Sequence, residues 1–504
     1  MKRRLLAIGL AVVCTLAFAA VPKQTAHAEE QNYSYIYDWW GDVQYCPNPY
    51  YVSKTLTYKD FGLDKNFKNP ESIYIKGEDL YICDTGNNRI LQFRKGRGYD
   101  FSLVREISSV KGASPAELTA PADVAVADNG DIFIADRGNQ RILKVDKDLN
   151  HLLTFVKPVD NTLDPELTYQ PSKIVIDSAE RVYASAIGIN KGLIKYENDG
   201  IFSGFIGATP VAYDFGVYLR KKFATKEQLE QMLAFVPTEY SNVYMDEDGF
   251  IYAVSDKVQD EDLDAGKGDA VRKLNMLGSD ILVRNGEYPV YGDLYWGNAG
   301  GIAGASSFVD VTVLDNEVYF CLDKKRCRLF AYDNQGRLVY VFGGNGNMDG
   351  FFRQPVSVEH MGKDLLVLDN MDNAVTVFTN TEFGSLVFKA MEDFDKGRYE
   401  RSQEAWEKVM ALDGNYTLAY IGVGRALLRQ ERYKEAMEYF ELKYDDENYS
   451  KAFQQYRKEW INDNIGIIIA VLLVLFLVPM GIGKYKKIKW EIATADIFRE
   501  DLNK

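Results

Sequence analysis

Down the middle of the chain, short apolar runs are separated by polar turns in a pattern that returns almost unchanged. One copy runs Asn69-Pro70, Ile73 to Ile75, a Gly77-Glu78 turn, Leu80 to Cys83, then Asp84-Thr-Gly-Asn-Asn-Arg89 and Ile90. The next runs Ala120-Pro121, Val124 to Val126, an Asp128-Asn-Gly130 turn, Ile132 to Ala135, then Asp136-Arg-Gly-Asn-Gln-Arg141 and Ile142. The matched prolines are 51 residues apart, the length of one supersecondary unit and its connection. Weaker copies begin at Gln170-Pro171, Asn242, Val309 and Gln354-Pro355. Second strands follow in Val182 to Ala184, Phe250 to Ala253, Val318 to Cys321 and Leu365 to Leu368. Aromatic and β-branched runs between Asp/Asn/Gly turns at this period predict a mainly β fold, a propeller of six four-stranded blades. Tyr51 to Phe61 before Asn69-Pro70 mimics Leu338 to Phe342 before Gln354-Pro355, so the N-terminal segment should form the outer strand of the last blade. That closure leaves the ring without a free sheet edge.

Beyond residue 380 the period becomes helical. Gly397-Arg-Tyr399 recurs as Glu431-Arg-Tyr433 and Trp406 recurs as Phe440, 34 residues on, with Val387, Ala390, Met391 and Phe394 on one helical face before them. Tyr449 to Trp460 reads as a further helix. The uncharged run Ile465 to Ile482 would extend roughly 27 Å as a helix, enough to cross a bilayer. Lys484, Lys486, Lys487 and Lys489 follow it and place the tail in the cytoplasm. At the other end, Lys2-Arg3-Arg4, an apolar stretch and Ala26-His27-Ala28 read as a secretory signal. The expected organisation is a signal over 1–28, an extension over 29–49, the propeller over 50–380, helical repeats over 383–462, one membrane-spanning helix over 464–483 and a tail over 484–504.

The Pro, strand, turn, strand, Asp-x-Gly-Asn-x-Arg pattern resembles the NHL repeat family, best in the first two copies. Later copies depart from it: Ser185 to Asn190 lacks the Asp and Arg, the fifth has Asp323-Lys-Lys-Arg-Cys-Arg328, and the sixth keeps Asp369 but has Ala374 for Arg. The helical pairs resemble tetratricopeptide repeats. The propeller resemblance implies a scaffold, a ligand-binding module or, as in propellers resembling gluconolactonases, a calcium-dependent hydrolase.

Charge and residue usage narrow these classes. The formal charge of −14 becomes about −20 on the exported part, which disfavours nucleic acid as a partner. Within the hairpins, Asp84 with Arg89 and Asp136 with Arg141 are expected as structural charge pairs. Cys321 and Cys327 flank one hairpin turn and could form a local disulfide. The long insertions, 208–239, 256–269 and 284–307, all belong to the connections on one face, and the helical stalk should leave from the other. Tyr288, Tyr291, Tyr295 and Trp296, joined by Tyr213 and Tyr218, are the candidate ligand-binding residues, flat surfaces for a sugar ring or a peptide. Asp260, Asp262 and Asp264 miss the calcium-loop pattern twice and read as a solvated acidic loop. His151 and His360 are too few for a zinc lyase, and no Ser or Cys nucleophile has a placed base. The expectation is a non-enzymatic binding or scaffold protein anchored in the membrane. Its propeller would face outward and take an extracellular glycan or protein; its helices would dock a membrane partner. No cofactor is expected, although a calcium site made of axial carboxylates and amides remains open to the fold.

Overall fold

A computed structural model describes residues 34–161, 163–208, 239–264, 268–295 and 302–502. The secretory signal expected over 1–28 lies outside them. Six antiparallel sheets follow one another along the chain, and their innermost strands touch in cyclic order, the sixth returning to the first. These strands are Ser72–Lys76, Pro121–Val126, Pro171–Ile176, Asn242–Met245, Phe308–Val313 and Pro355–Met361. The sixth blade is completed by Tyr50–Thr57, which pairs with Ala374–Asn380 from Thr57 opposite Ala374 to Tyr50 opposite Asn380. Blade four departs from the expected four strands. It has three, with an isolated bridge from Leu274 to Asp280 where the outer strand would stand. Blade five has two more than expected, because Tyr35–Tyr37 and Val43–Tyr45 extend its outer edge beyond Leu338–Gly343.

Each pair of neighbouring blades encloses one apolar cluster, which is why the middle strands read as continuous apolar runs rather than alternating ones. Phe133, wholly buried, packs with Phe155, Ile174 and Val182 between blades two and three. Burial of such a ring contributes about 2–3 kcal/mol.

The acidic stretch after blade four's second strand forms a short helix, α1 (Asp260–Asp264), where a solvated loop was expected. Leu263 is buried in the cluster between blades four and five, and Ala305 N–H donates to Asp260 Oδ1 at 3.1 Å. An apolar anchor and a backbone partner therefore hold this segment down.

From the last strand the chain enters α2 (Glu382–Asp395), α3 (Tyr399–Leu412), α4 (Thr417–Arg429), α5 (Tyr433–Glu441) and the long α6 (Asp446–Leu502), each packed on the next. Thr381 caps α2, its Oγ1 accepting from Gly384 N and donating to Asn48 O at 2.7 Å. Trp406 of α3 and Phe440 of α5 lie over Gly422 and Gly424 of α4, where a Cβ would come within 2.3 and 2.6 Å of their rings. The helices share one core with blades five and six: Phe383, Val387 and Phe388 join Phe320, Phe342 and Tyr50. Tyr416 O–H donates to Val339 O at 2.7 Å. Lys363, in the turn between the first two strands of blade six, reaches Glu392 at 3.7 Å, so the helices sit on the short-turn face. The first turns of α6 pack through Ala452, after which its side chains are exposed. It is the one described helix long and apolar enough to cross a membrane.

Candidate functional site

Three places hold the chemistry: the repeated turns, the aromatic insertion beside blade five, and the propeller axis. In the turns, the Asp-x-Gly-Asn-x-Arg signature works as a clamp. Asp84 accepts from Lys68 N at 2.7 Å, Asn87 Nδ2 at 2.8 Å and Arg89 Nε at 2.8 Å. Asp136 accepts from Thr119 N at 2.8 Å, Asn139 Nδ2 at 2.9 Å and Arg141 Nε at 2.8 Å. The glycine is required because a Cβ on Gly86 or Gly138 would stand 2.6 Å from the carbonyl of Lys68 or Thr119. Asn88 and Gln140 then take left-handed backbone. Both carboxylates are fully buried and saturated, so these pairs bind the turn to the connection leading into the same blade. Asp323 and Asp369 repeat the device through Ser307 N and Arg353 N.

The aromatic insertion is mostly structural. Tyr288 sets its ring edge-on to Tyr37 at 5.9 Å and donates to Asp38 O, so it packs the N-terminal hairpin while staying half-buried. Tyr291 joins the cluster between blades four and five. Tyr295 is 72% exposed. Trp296, Tyr213 and Tyr218 lie outside the described residues. The insertion is anchored by buried Asp293, which accepts from Tyr35 O–H, from Tyr37 O–H at 2.9 Å and from Arg328 Nη1 at 2.8 Å, with Arg326 at 3.3 Å.

The Cys321–Cys327 disulfide does not form; both thiols are free and buried. Their side chains enter different clusters, Cys321 between blades four and five and Cys327 between five and six, on opposite faces of the blade. Burial raises both thiol pKa values.

At the axis, each innermost strand contributes one polar side chain to a ring: Ser72, Asp123, Lys173, Asn242, Asp310 and Ser357. In blades two, three, five and six the register shifts by a bulge just before this residue, which turns it toward the axis. The ring staples blade to blade. Ser72 Oγ donates to Asp123 Oδ1 at 2.6 Å, Lys173 Nζ to Ser72 Oγ at 2.9 Å, and Asn242 Nδ2 to Asp310 Oδ1. The amides of Ile174, Val358 and Ile73 donate to Asp123 at 2.8 Å, Asp310 at 2.7 Å and Ser357 at 3.2 Å.

Below the ring lies a cavity of about 990 Å³, lined further down by Tyr74, Tyr244, Glu359 and His360. Among the described residues its wall takes only first strands and short turns, so it opens on the stalk face, opposite the long insertions. Burial raises Asp310 to about 6, against the pull of Lys173. Burial and then the Asp310 charge hold Glu359 well above the usual carboxylate range, and burial lowers His360. Glu359 accepts from Thr312 Oγ1 at 3.3 Å, and Thr312 Oγ1 lies 2.8 Å from His360 Nδ1.

The calcium expectation does not fit this arrangement. Among the described residues no three carboxylate, imidazole or thiol groups converge as a metal site. The cation beside Asp123 is the Lys173 ammonium, 3.9 Å away, whereas calcium takes six or more oxygens. The ring escaped the sequence reading because its members differ in type. Their shared signal is position: Ser72, Asp123, Lys173 and Ser357 each stand two residues after the leading proline.

Fold and site define a six-bladed β-propeller built on an NHL-type pattern, carried by a helical C-terminal region. Residues 118–145 match the NHL repeat family model. The human NHL repeat-containing protein 3 is 33% identical over 91 residues, 17% of this chain; the match spans about a quarter of that relative's length. Among solved structures, a streptogramin B lyase is similar at 12% identity, covering 69% of this chain and 87% of that one with a TM-score of 0.38. Virginiamycin B lyase from Staphylococcus aureus is similar at 9% identity over 65% of this chain and 98% of that one, with a TM-score of 0.34.

Proposed function

We propose that the chain is an exported binding and scaffold protein, held in the cell membrane by one helix, whose propeller captures an extracellular ligand, a glycan or a protein. Its tetratricopeptide-like helical pairs and membrane helix would dock a membrane partner, while the short tail stays in the cytoplasm. The observation that carries this reading is mechanical continuity. Propeller and helices share one core through Phe388, Tyr50 and Phe342, and the helix that closes that core runs without a break into an exposed apolar segment. A swivelling head would need a linker, whereas a shared core fixes the propeller on its support.

Ligand capture is tested with the full chain in lipid nanodiscs on a glycan array and against cell-surface protein fractions. Saturable retention by defined ligands that Tyr295→Ala weakens supports capture through the insertion face. Retention that ignores this change moves the site elsewhere on the propeller, and turnover of a lactone by the same preparation would overturn the non-enzymatic reading.

A further inference from the structure

The axial cavity is deep, acidic and aromatic, which together select a chemistry. Its mouth carries Asp128, Asp177, Glu180, Asp246, Glu247 and Asp248, while its two basic lining residues, Lys76 and Arg181, are engaged by Asp128 at 2.6 Å and Asp177 at 2.6 Å. Deeper in, Lys173 is drawn into the ring by Ser72 and Asp123. Among the described residues Glu359 has no such partner: the charges acting on it most are Asp310 and Asp123, both of its own sign. Tyr74 of blade one, Tyr244 of blade four and Glu359 of blade six all line this cavity, and both phenols feel the Glu359 charge. Met245, Met276 and Met361 add polarisable apolar surface.

We propose that this cavity binds a small organic cation, an aliphatic or alkylated amine whose ammonium group sits against Glu359 beside the Tyr74 and Tyr244 rings. A carboxylate gives the positive head a counter-charge in a site of reduced dielectric, and phenol faces attract the same head through their quadrupoles. The volume of about 990 Å³ suits a molecule and not a bare ion. The carboxylates are dispersed over the wall, a spacing that serves an extended or multiply charged amine. An anion would meet an acidic rim at the mouth, and a neutral sugar would bring no positive head to Glu359 and the phenol rings. Burial raises both Glu359 and Asp310, so a cation arriving beside them displaces protons. Binding therefore releases protons and weakens as pH falls. The mouth opens on the propeller face that carries the helices, the membrane side in the proposed arrangement.

The proposal rests on the reading of the propeller as a ligand-capturing head and is separable from it. Calorimetry on the full chain in nanodiscs would use spermidine and tetramethylammonium as probes, with calcium chloride and glucose as comparators. At least one ammonium probe should bind at pH 7.5 with proton release, measured in two buffers of different ionisation enthalpy. Affinity should drop tenfold or more at pH 5.5 and in Glu359→Gln, and should be unchanged in Asp199→Asn on an outer turn. Tyr244→Ala gives an independent loss if Glu359→Gln alters folding. Absence of binding by both ammonium probes, binding indifferent to Glu359→Gln and Tyr244→Ala, or preference for calcium would overturn the proposal. If the ammonium probes fail while glycan or protein retention persists, the cation assignment falls and the capturing head stands.

Discussion

Asp136→Ala tests the clamp reading of the repeated turn at its most buried example. The carboxylate is fully buried and accepts from Thr119 N, Asn139 Nδ2 and Arg141 Nε at 2.8, 2.9 and 2.8 Å. Its removal leaves the Arg141 guanidinium, 5% exposed, with Pro115 O at 2.6 Å as its remaining hydrogen-bond partner. Breaking a buried pair from one side costs about 3–5 kcal/mol, chiefly the desolvation of the surviving charge. Two further donors, from Thr119 and Asn139, also lose a charged acceptor, so about 4 kcal/mol is a conservative figure. At the unfolding entropy of a domain this size, that lowers the propeller melting temperature by roughly 6 °C. The assay is a calorimetric melt of wild type, Asp136→Ala, Arg141→Met and the double variant. Because the second change removes the stranded charge, the double variant should recover about half of the loss, a marked departure from additivity. A loss under about 1 kcal/mol, or additive losses in the double variant, would refute the clamp.

Three further outcomes follow from the same geometry. Glu359→Gln should raise the melting temperature at pH 7.5 and leave it nearly unchanged at pH 4.5. The folded-state pKa of Glu359 lies above its unfolded value, so the folded protein holds a proton the unfolded chain has released, and wild-type stability falls as pH rises past the ordinary carboxylate range. A flat difference across pH would contradict that sign. Asp293→Asn leaves Arg326 and Arg328 without their shared carboxylate and should free the hairpin of Tyr35–Tyr37 and Val43–Tyr45, seen as faster amide exchange there and at Leu338–Gly343 but not in blade two. Gly422→Ala places a methyl 2.3 Å from the Trp406 indole and should destabilise the helical region by about 1–3 kcal/mol, less up to 1 kcal/mol of regained helix propensity. Loss of helical circular dichroism during thermal melting reports it.

Much of the architecture was legible because its signals are local. Each hairpin pairs neighbours in sequence, and an apolar run with its turn carries that information in about twenty residues. The ring closure was legible for a different reason: Tyr50–Thr57 copies the outer strand of another blade, so analogy supplied what distance hid. The Tyr35 to Val341 pairing on blade five had neither a copy nor a turn to announce it. Blade four lost its outer strand because Ser279 onward runs toward blade five, with Asn285 N–H donating to Gln335 O at 2.8 Å. Aromatic density pointed to Tyr288 as a binding surface; the same property suits a ring that packs a hairpin, which its contacts with Tyr37 and Asp38 show. The axial ring was hidden because six different side chains meet there once each, and register, not residue type, unites them.

The claim that most depends on the whole molecule is that the propeller is displayed outside a membrane from which one helix suspends it. The thiols of Cys46, Cys83, Cys321 and Cys327 are buried, and with Cys14, outside the described residues, changed to serine, introduced cysteines report cleanly. In intact cells, a membrane-impermeant maleimide should label Asn198→Cys on a propeller turn and leave Lys487→Cys, beyond the apolar segment, unlabelled until the membrane is opened. Labelling of Lys487→Cys with protection of Asn198→Cys, or protection of both until lysis, would contradict it.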